Sequence, residues 1–296
     1  MKYWCFYQAL LGGFVACQAE QTQQAAEKPA PNKLDYAASS AERLTRRFDS
    51  VIVGAWVKSD YLDAVAARHS TFAAHSEASG ITVLHINPAN RVGDSLEIGA
   101  GYNNHEGYPM KLGYKPGHNP HSLETTYTDG EPAGSFDELG YHIFANDTTL
   151  LLSKYAPDKR LLSTTRFRRV LRHLPTADNL ELGLSHAVNT LLFAGTFAGT
   201  DFAGRAARLQ FTADGYVRGI PGVHTYQVQT DFAVSIENNL DHIFLDIYEK
   251  RQQRLAYTFR ADSLYLHETK TVLGTDSISE LQNARLLYRL VRLDEP

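Results

Sequence analysis

Cysteine is nearly absent from this sequence, and the positions of the two that occur are informative. Among 296 residues the chain has only Cys5 and Cys17, so every residue after position 17 lacks a thiol. This excludes a disulfide framework, a cysteine-based metal site and a cysteine nucleophile from the body of the protein. Methionine is also scarce, with two residues, whereas 16 Tyr and 14 Phe are present. Because aromatic and β-branched residues favour strands, we expect a mainly β protein.

An excess of charge of one sign is missing as well. The formal net charge is −4 and the isoelectric point lies near 6.3. No basic stripe runs along any segment, so the sequence offers no electrostatic footprint for nucleic acid. We therefore expect no nucleic-acid partner.

The first 16 residues have the layout of an export signal. Lys2 precedes an apolar run from Tyr3 to Ala16, which is shorter than the roughly 20 residues that cross a bilayer and typical of a signal-peptide core. The sequence Phe14-Val15-Ala16-Cys17 resembles the lipobox of bacterial lipoproteins. This resemblance implies cleavage before Cys17 and lipidation of its sulfur. Plain secretion, with an incidental cysteine, is the alternative.

The segment after Cys17 predicts a tether. Residues 17–33 are rich in Gln, Ala, Glu and Pro and contain no large apolar side chain, so they cannot bury enough surface to fold. We expect an exported protein of the cell envelope, facing the periplasm or the cell surface. Its contact with the membrane would be made through the lipid anchor alone.

The remaining chain divides into two halves with a similar plan, residues 34–173 and 174–296. Each half begins with a segment of helical periodicity, Leu34–Asp49 and Asp178–Thr190, and continues with short segments of alternating polarity separated by turn residues. Gly54-Ala55-Trp56 in the first half corresponds to Gly195-Thr196-Phe197 in the second. The pattern indicates a duplicated β domain, although chance matching of short strands would also produce it.

These landmarks resemble the lipocalin-like, or calycin, barrels. That family places a Gly-x-Trp motif on the first strand beneath an Arg from the closing strand, in a meander of about eight strands. The resemblance implies two tandem antiparallel β-barrels, each preceded by a short α-helix. Trp56 would be covered by Arg168 or Arg166, and Phe197 by Arg289. A guanidinium stacks well on an aromatic face, which gives the pairing a physical basis.

The densest polar cluster follows the third predicted strand of the first half. Asn103-Asn104-His105-Glu106-Gly107-Tyr108 lies between two strand patterns, where loops often carry function. The segment is also similar to lipoproteins of the Bacteroidota, which implies an envelope location and no particular activity. The alternative is a plain turn, since Asn and Gly are turn formers. We predict that a ligand site, if present, lies here in the first barrel, with these candidates: Tyr102, Asn104, His105, Glu106, Tyr108, Met110 and Tyr114.

Other candidate chemistry is weak. His118 and His121 lack a second pair of metal ligands, and Gly183-Leu184-Ser185-His186-Ala187 lies in a predicted helix, where a nucleophile elbow cannot form. We therefore predict no metal, no cofactor and no identified catalytic residue. The leading hypothesis is a lipoprotein that binds a small apolar or amphipathic molecule in a barrel. The alternatives are a structural or interaction lipoprotein with solid barrel cores and, third, a small-molecule enzyme that uses His105 and Glu106. The sequence identifies no protein partner.

Overall fold

The computed structural model describes residues 33–127, 132–145, 147–174, 179–233, 238–274 and 279–293. The predicted signal peptide, Cys17 and the tether up to residue 32 lie outside them. Strands account for 52% of the structure and helices for 18%, so the protein is mainly β, as the composition predicts.

The first half forms a closed antiparallel barrel of eight strands. In the order of the sheet, β2, β1, β9, β8, β7, β6, β5 and β4 are neighbours, and β2 closes the ring by pairing with β4. A further strand of two residues, β3, also pairs with β4. The strands are β1 Gly54–Lys58, β2 Ile81–Ile86, β3 Arg91–Val92, β4 Ser95–Tyr102, β5 Glu106–Pro116, β6 Ser122–Thr125, β7 Phe136–Phe144, β8 Asp147–Tyr155 and β9 Leu161–Leu171.

The second half forms a separate eight-stranded antiparallel sheet. Its order is β12, β11, β10, β17, β16, β15, β14, β13. The strands are β10 Gly195–Asp201, β11 Ala206–Phe211, β12 Val217–Arg218, β13 Tyr226–Val228, β14 His242–Leu245, β15 Gln253–Arg260, β16 Ser263–Leu273 and β17 Ser279–Leu293.

The second sheet does not close into a barrel within the described ranges. Its two end strands, β12 and β13, have two and three residues, and Tyr216 and Thr225 beside them form an isolated bridge rather than a ladder. The segment between these strands turns at Gly219 and Gly222, both with positive φ, so few backbone groups are left to pair. The expectation of two tandem closed barrels is therefore shown for the first half alone.

Within the described residues, three α-helices accompany the sheets: α1 Lys33–Ile52, α2 Ser59–Arg68 and α3 Glu181–Leu192. In α1 the apolar side chains of Leu44, Phe48 and Ile52 recur at helical spacing and pack with the barrel core. The apolar face of α1 continues to Ile52, beyond the predicted helical segment Leu34–Asp49, and the first strand begins at Gly54.

Helices α2 and α3 connect the two halves through one continuous hydrophobic core. Tyr61 and Val65 of α2 belong to the same buried cluster as Val188 of α3 and Phe197 of the second sheet. Gly183 lies directly against Ala55 of β1, so α3 also packs on the outside of the barrel. The space between the two sheets is thus bounded by the helices that both sheets share.

None of the helices that can be described combines the length and the apolar character needed to cross a membrane.

Candidate functional site

The polar cluster predicted from the sequence forms the tip of the β4–β5 hairpin. Tyr102 and Glu106 are paired across the two strands, and Asn103 and Asn104 have φ values of 53° and 55°. The backbone N–H of His105 donates to the Tyr102 carbonyl at 2.9 Å. Two successive residues with left-handed backbone conformation are typical of a type I′ turn, and Asn tolerates that conformation well. Turn chemistry therefore explains why both Asn residues are present.

The tip of this hairpin touches the second half of the protein. The Asn104 side-chain amide donates to the Thr230 carbonyl at 3.3 Å. His105 Nδ1 lies 2.7 Å from Asp231 Oδ2, and the two side chains are 32% and 36% exposed. Because one partner comes from each half, the pair marks the place where barrel and second sheet meet.

Asp231 controls the charge of His105. The hydrogen bond from the ring to this carboxylate raises the pKa of His105, and the negative charges of Asp231 and Glu106 add to the effect. Partial desolvation acts in the opposite direction. The carboxylate within hydrogen-bonding distance of His105 is thus Asp231, and Glu106 acts through its charge.

Helix α3 supplies the opposite wall of the site. Asn179 Oδ1 accepts from the backbone N–H of Glu181 at 3.0 Å, a local contact that satisfies a free donor at the helix start. Leu180 lies across Gly99 and Gly107, where an added Cβ would come within 2.4 and 2.5 Å of its side chain. These glycines leave room on the barrel surface for the leucine, and they bring the helix start beside the hairpin.

The hairpin, α3 and the segment around β13 enclose a cleft of about 590 Å³. Apolar side chains and polar groups both line it, and the lining includes Val83, Asn104, His105, Glu106, Leu180, Glu181, Leu184, Ser185, Gln227, Gln229 and Asp231. Binding sites for small molecules have about 300 to 1,000 Å³ and combine an apolar surface with a few polar groups. In size this cleft meets that description; its lining is mostly polar, and Val83, Leu180 and Leu184 supply the apolar surface.

The structure brings together three of the seven predicted ligand residues, Asn104, His105 and Glu106. The other four do not line the cleft. Tyr102 and Tyr108 pack partly buried against the barrel core. Met110 and Tyr114 are 0% and 3% exposed within that core.

The barrel interior at these positions is filled by side chains rather than open to a ligand. The Tyr114 hydroxyl contacts the Asp49 carboxylate, and the guanidinium of Arg91 lies 4.9 Å from the Tyr114 ring centroid. The alternate side chains of β5 therefore point inward, where they serve packing.

The residues missed by the sequence analysis come from distant segments. Leu180 directly precedes α3, Glu181 and Ser185 belong to it, and Gln229 and Asp231 follow β13. Helical periodicity places the first three on one segment, yet no local pattern shows which part of the barrel they face. Gly99 and Gly107 on the two neighbouring strands were the available signal, because a strand interior that lacks side chains often marks a close approach.

The predicted closure of the barrel occurs with a neighbouring arginine. Trp56 is fully buried, its Nε1 donates to the Ile52 carbonyl at 2.7 Å, and Arg169 covers the ring at 4.4 Å. The assignment of Arg168 or Arg166 is wrong. These two arginines form ion pairs with Asp63 and Asp60 on the outer surface, at 2.6 and 3.0 Å.

Strand alternation gives the reason. Successive side chains point to opposite faces, and Phe167, which is fully buried, shares its face with Arg169. Trp56 and Arg169 are direct cross-strand partners. An arginine at an odd position of this strand is therefore inward, and one at an even position is outward.

The second half repeats this arrangement, and the covering arginine again lies on the opposite face of the strand from the predicted one. Phe197 is fully buried and lies 4.6 Å beneath Arg292, its cross-strand partner. Arg292 donates to the Leu192 carbonyl at 2.7 Å. The predicted cover, Arg289, points to the other face, where it lies 5.9 Å from the Tyr265 ring centroid.

Across the described ranges, no three His, Cys, Asp or Glu side chains are grouped so that they could hold a metal ion. No protein-family model, curated protein or solved structure significantly matches this chain.

Proposed function

We propose that this chain is an exported lipoprotein, anchored through Cys17, that binds a small amphipathic molecule between two lipocalin-like halves. The binding proposal rests on one observation, the cleft of about 590 Å³ beneath the β4–β5 hairpin. Its position differs from the one expected from the sequence, because it lies outside the barrel.

The composition of the cleft supports an amphipathic ligand. Leu180, Leu184 and Val83 offer an apolar surface, and His105 with Asp231 offers a polar edge. Burial of apolar surface contributes roughly 25 cal/mol per Å², while a few placed polar groups select orientation. A molecule with one apolar and one polar end would use both surfaces.

Shared geometry supports two lipocalin-like halves. Gly54 and Gly195 have nearly equal φ values of 131° and 134°, and each precedes a buried aromatic residue covered by an arginine of the last strand. Arg169 donates to Val51 and Arg292 to Leu192, so each guanidinium also caps the end of the preceding helix. On this proposal the second sheet is an open form of the same barrel.

The binding proposal is tested with Nile red, an uncharged dye whose fluorescence rises in apolar sites. We expect saturable binding to the wild type and its loss in Ser185→Trp and in Gln227→Trp, since both residues line the cleft and the indole would fill it. Thr190→Trp, on the exposed side of the same helix, is the control and should bind as the wild type does. Each variant is first checked for a wild-type circular dichroism spectrum.

Absence of saturable binding to the wild type would contradict the proposal. Equal binding by the wild type and by both filled variants would contradict it as well, because the dye would then occupy some other surface.

The packed barrel favours a second candidate function, a structural or interaction lipoprotein. Trp56, Met110 and Leu150 are fully buried inside it, and Phe144 at the β7–β8 turn is 75% exposed. This alternative predicts that the cleft substitutions leave the affinity for Nile red unchanged.

A further inference from the structure

A second cleft continues the first one along α3. It has a volume of about 300 Å³ and lies between α3 and the second sheet, near Tyr216 and Thr225. Both clefts are lined by Asn179, Glu181, Ser185 and Gln227. They therefore form one groove along the helix, and Leu180 and Leu184 lie in its first cleft.

Asn189 provides a buried hydrogen-bond acceptor in the second cleft. It lines this cleft and is 2% exposed. Its Nδ2 donates to the Ala213 carbonyl at 3.0 Å, whereas Oδ1 has no hydrogen-bond partner within the described chain. An unpaired buried polar atom is costly, roughly 1 to 3 kcal/mol, so Oδ1 calls for a ligand that donates an N–H or O–H.

The charges along the groove are acidic. Among the described residues, four carboxylates line the groove, Glu106, Glu181, Asp231 and Asp214, together with the imidazoles of His105 and His186. The chain contains 29 Lys and Arg, yet neither type occurs among the described lining residues of the two clefts. His105 and His186 each face an aspartate, at 2.7 and 3.0 Å. An anionic ligand would meet repulsion here, and a cation would be attracted.

We propose that the groove binds an aliphatic primary amine. The ammonium lies in the second cleft, where it donates to Asn189 Oδ1 and is neutralised by Glu181 and Asp214. The hydrocarbon chain lies in the first cleft against Leu180 and Leu184. This inference rests on the proposed binding function and adds the chemical class of the ligand.

The test uses three amphiphiles with the same eight-carbon chain and different head groups: octylamine, octanol and octanoate. Each displaces Nile red from the wild-type protein at pH 7, below its micelle-forming concentration. Hydrogen bonds to charged groups contribute about 1.5 to 3 kcal/mol, so we expect octylamine to displace the dye at a concentration at least about tenfold lower than octanoate. Octanol should fall between them.

Two charge-neutralising variants locate the ammonium. Glu181→Gln and Asp214→Asn should each weaken displacement by octylamine about threefold to tenfold and leave displacement by octanol unchanged. Glu42→Gln removes one negative charge from α1, far along the chain from the groove, and serves as the matched control. Asn189→Leu, of similar volume, removes the acceptor and should weaken displacement by octylamine more than displacement by octanoate, which has no proton to donate; the dye affinity of this variant is measured separately.

The outcomes separate this inference from the proposed function. If Nile red responds to Ser185→Trp but octanoate displaces it as well as octylamine does, the groove binds amphiphiles and the amine preference is wrong. Glu181→Gln and Asp214→Asn could instead weaken dye displacement by octylamine and by octanol equally. That result would overturn the placement of the ammonium, because it would show a general change in the shape of the groove. Failure of the dye to bind the wild type would remove the proposed function itself.

Discussion

Replacement of Gly183 by alanine should destabilise the protein, although the same change stabilises most helices. At an exposed interior helix position, Gly→Ala adds about 1 kcal/mol of stability. At Gly183 the new Cβ would lie 2.6 Å from Ala55 Cβ and 3.4 Å from a Val170 methyl. Real Cβ atoms essentially never approach within 3.0 Å, so α3 or β1 must shift.

The shift is costly because both elements are held from several sides. Strand β1 pairs with β2 and β9, and α3 contributes Leu184 and Val188 to the shared core. Overpacking of this kind costs about 1 to 3 kcal/mol. After subtracting the helix-propensity gain, we expect a net loss of up to about 2 kcal/mol in the free energy of unfolding. Each kcal/mol lowers the melting temperature by about 2 to 4 °C for a protein of this size class.

Thermal melts and urea unfolding of four proteins measure the effect: wild type, Gly183→Ala, Ala55→Gly and the double variant. Ala55→Gly removes the opposing methyl, so the double variant should be more stable than the sum of the single changes predicts. Thr190→Ala on the exposed side of α3 is the control and should be neutral or slightly stabilising. A Gly183→Ala protein that gains about 1 kcal/mol, or a strictly additive cycle, would refute the close packing of α3 on the barrel.

Three further predictions concern the barrel closure, the interdomain pair and the anchor. Trp56→Ala should cost about 3 to 5 kcal/mol in urea unfolding, as for other buried large aromatics, and Arg169→Gln should cost less, since it leaves the indole in place. Because the folded pKa of His105 is raised, its contribution to stability should be complete below the ordinary histidine pKa and should disappear as the pH rises through the raised value. NMR titration of the His105 ring checks this, and Asp231→Asn should lower the pKa; an unchanged titration would rule out the pair. Metabolic labelling with a fatty-acid analogue should mark the wild type and miss Cys17→Ser, whereas equal labelling of both would exclude Cys17 as the anchor.

Local patterns predicted the barrel well, because period-two polarity and turn residues are short-range properties. The β4–β5 hairpin at Asn103-Asn104 and the inward face of β5 follow directly from them. The choice of Arg168 over Arg169 failed although the information was local: Phe167 had to be inward, and alternation then selects Arg169. The same parity argument would have found Arg292 from the buried Leu290.

The candidate site could be predicted in part. Asn104, His105 and Glu106 lie in the cleft because a polar hairpin tip is a local feature. Their partners, Asp231 and the residues of α3, lie more than 70 residues away in the chain, and no periodicity connects segments so far apart. Met110 and Tyr114 were misassigned because an inward apolar face is the same pattern whether it lines a cavity or fills one.

The sequence by itself determined the strand-rich class, the aromatic residues that fill the barrel and the turn that carries His105, since each depends on spacing along the chain. Tertiary structure decided the rest. The second sheet stays open within the described residues because β12 and β13 are too short to form a ladder. The groove exists because Gly99 and Gly107 admit Leu180 and thereby place α3 between the two halves. Such contacts depend on the shapes of two surfaces that meet only after each has folded, and a linear pattern contains no measure of that fit.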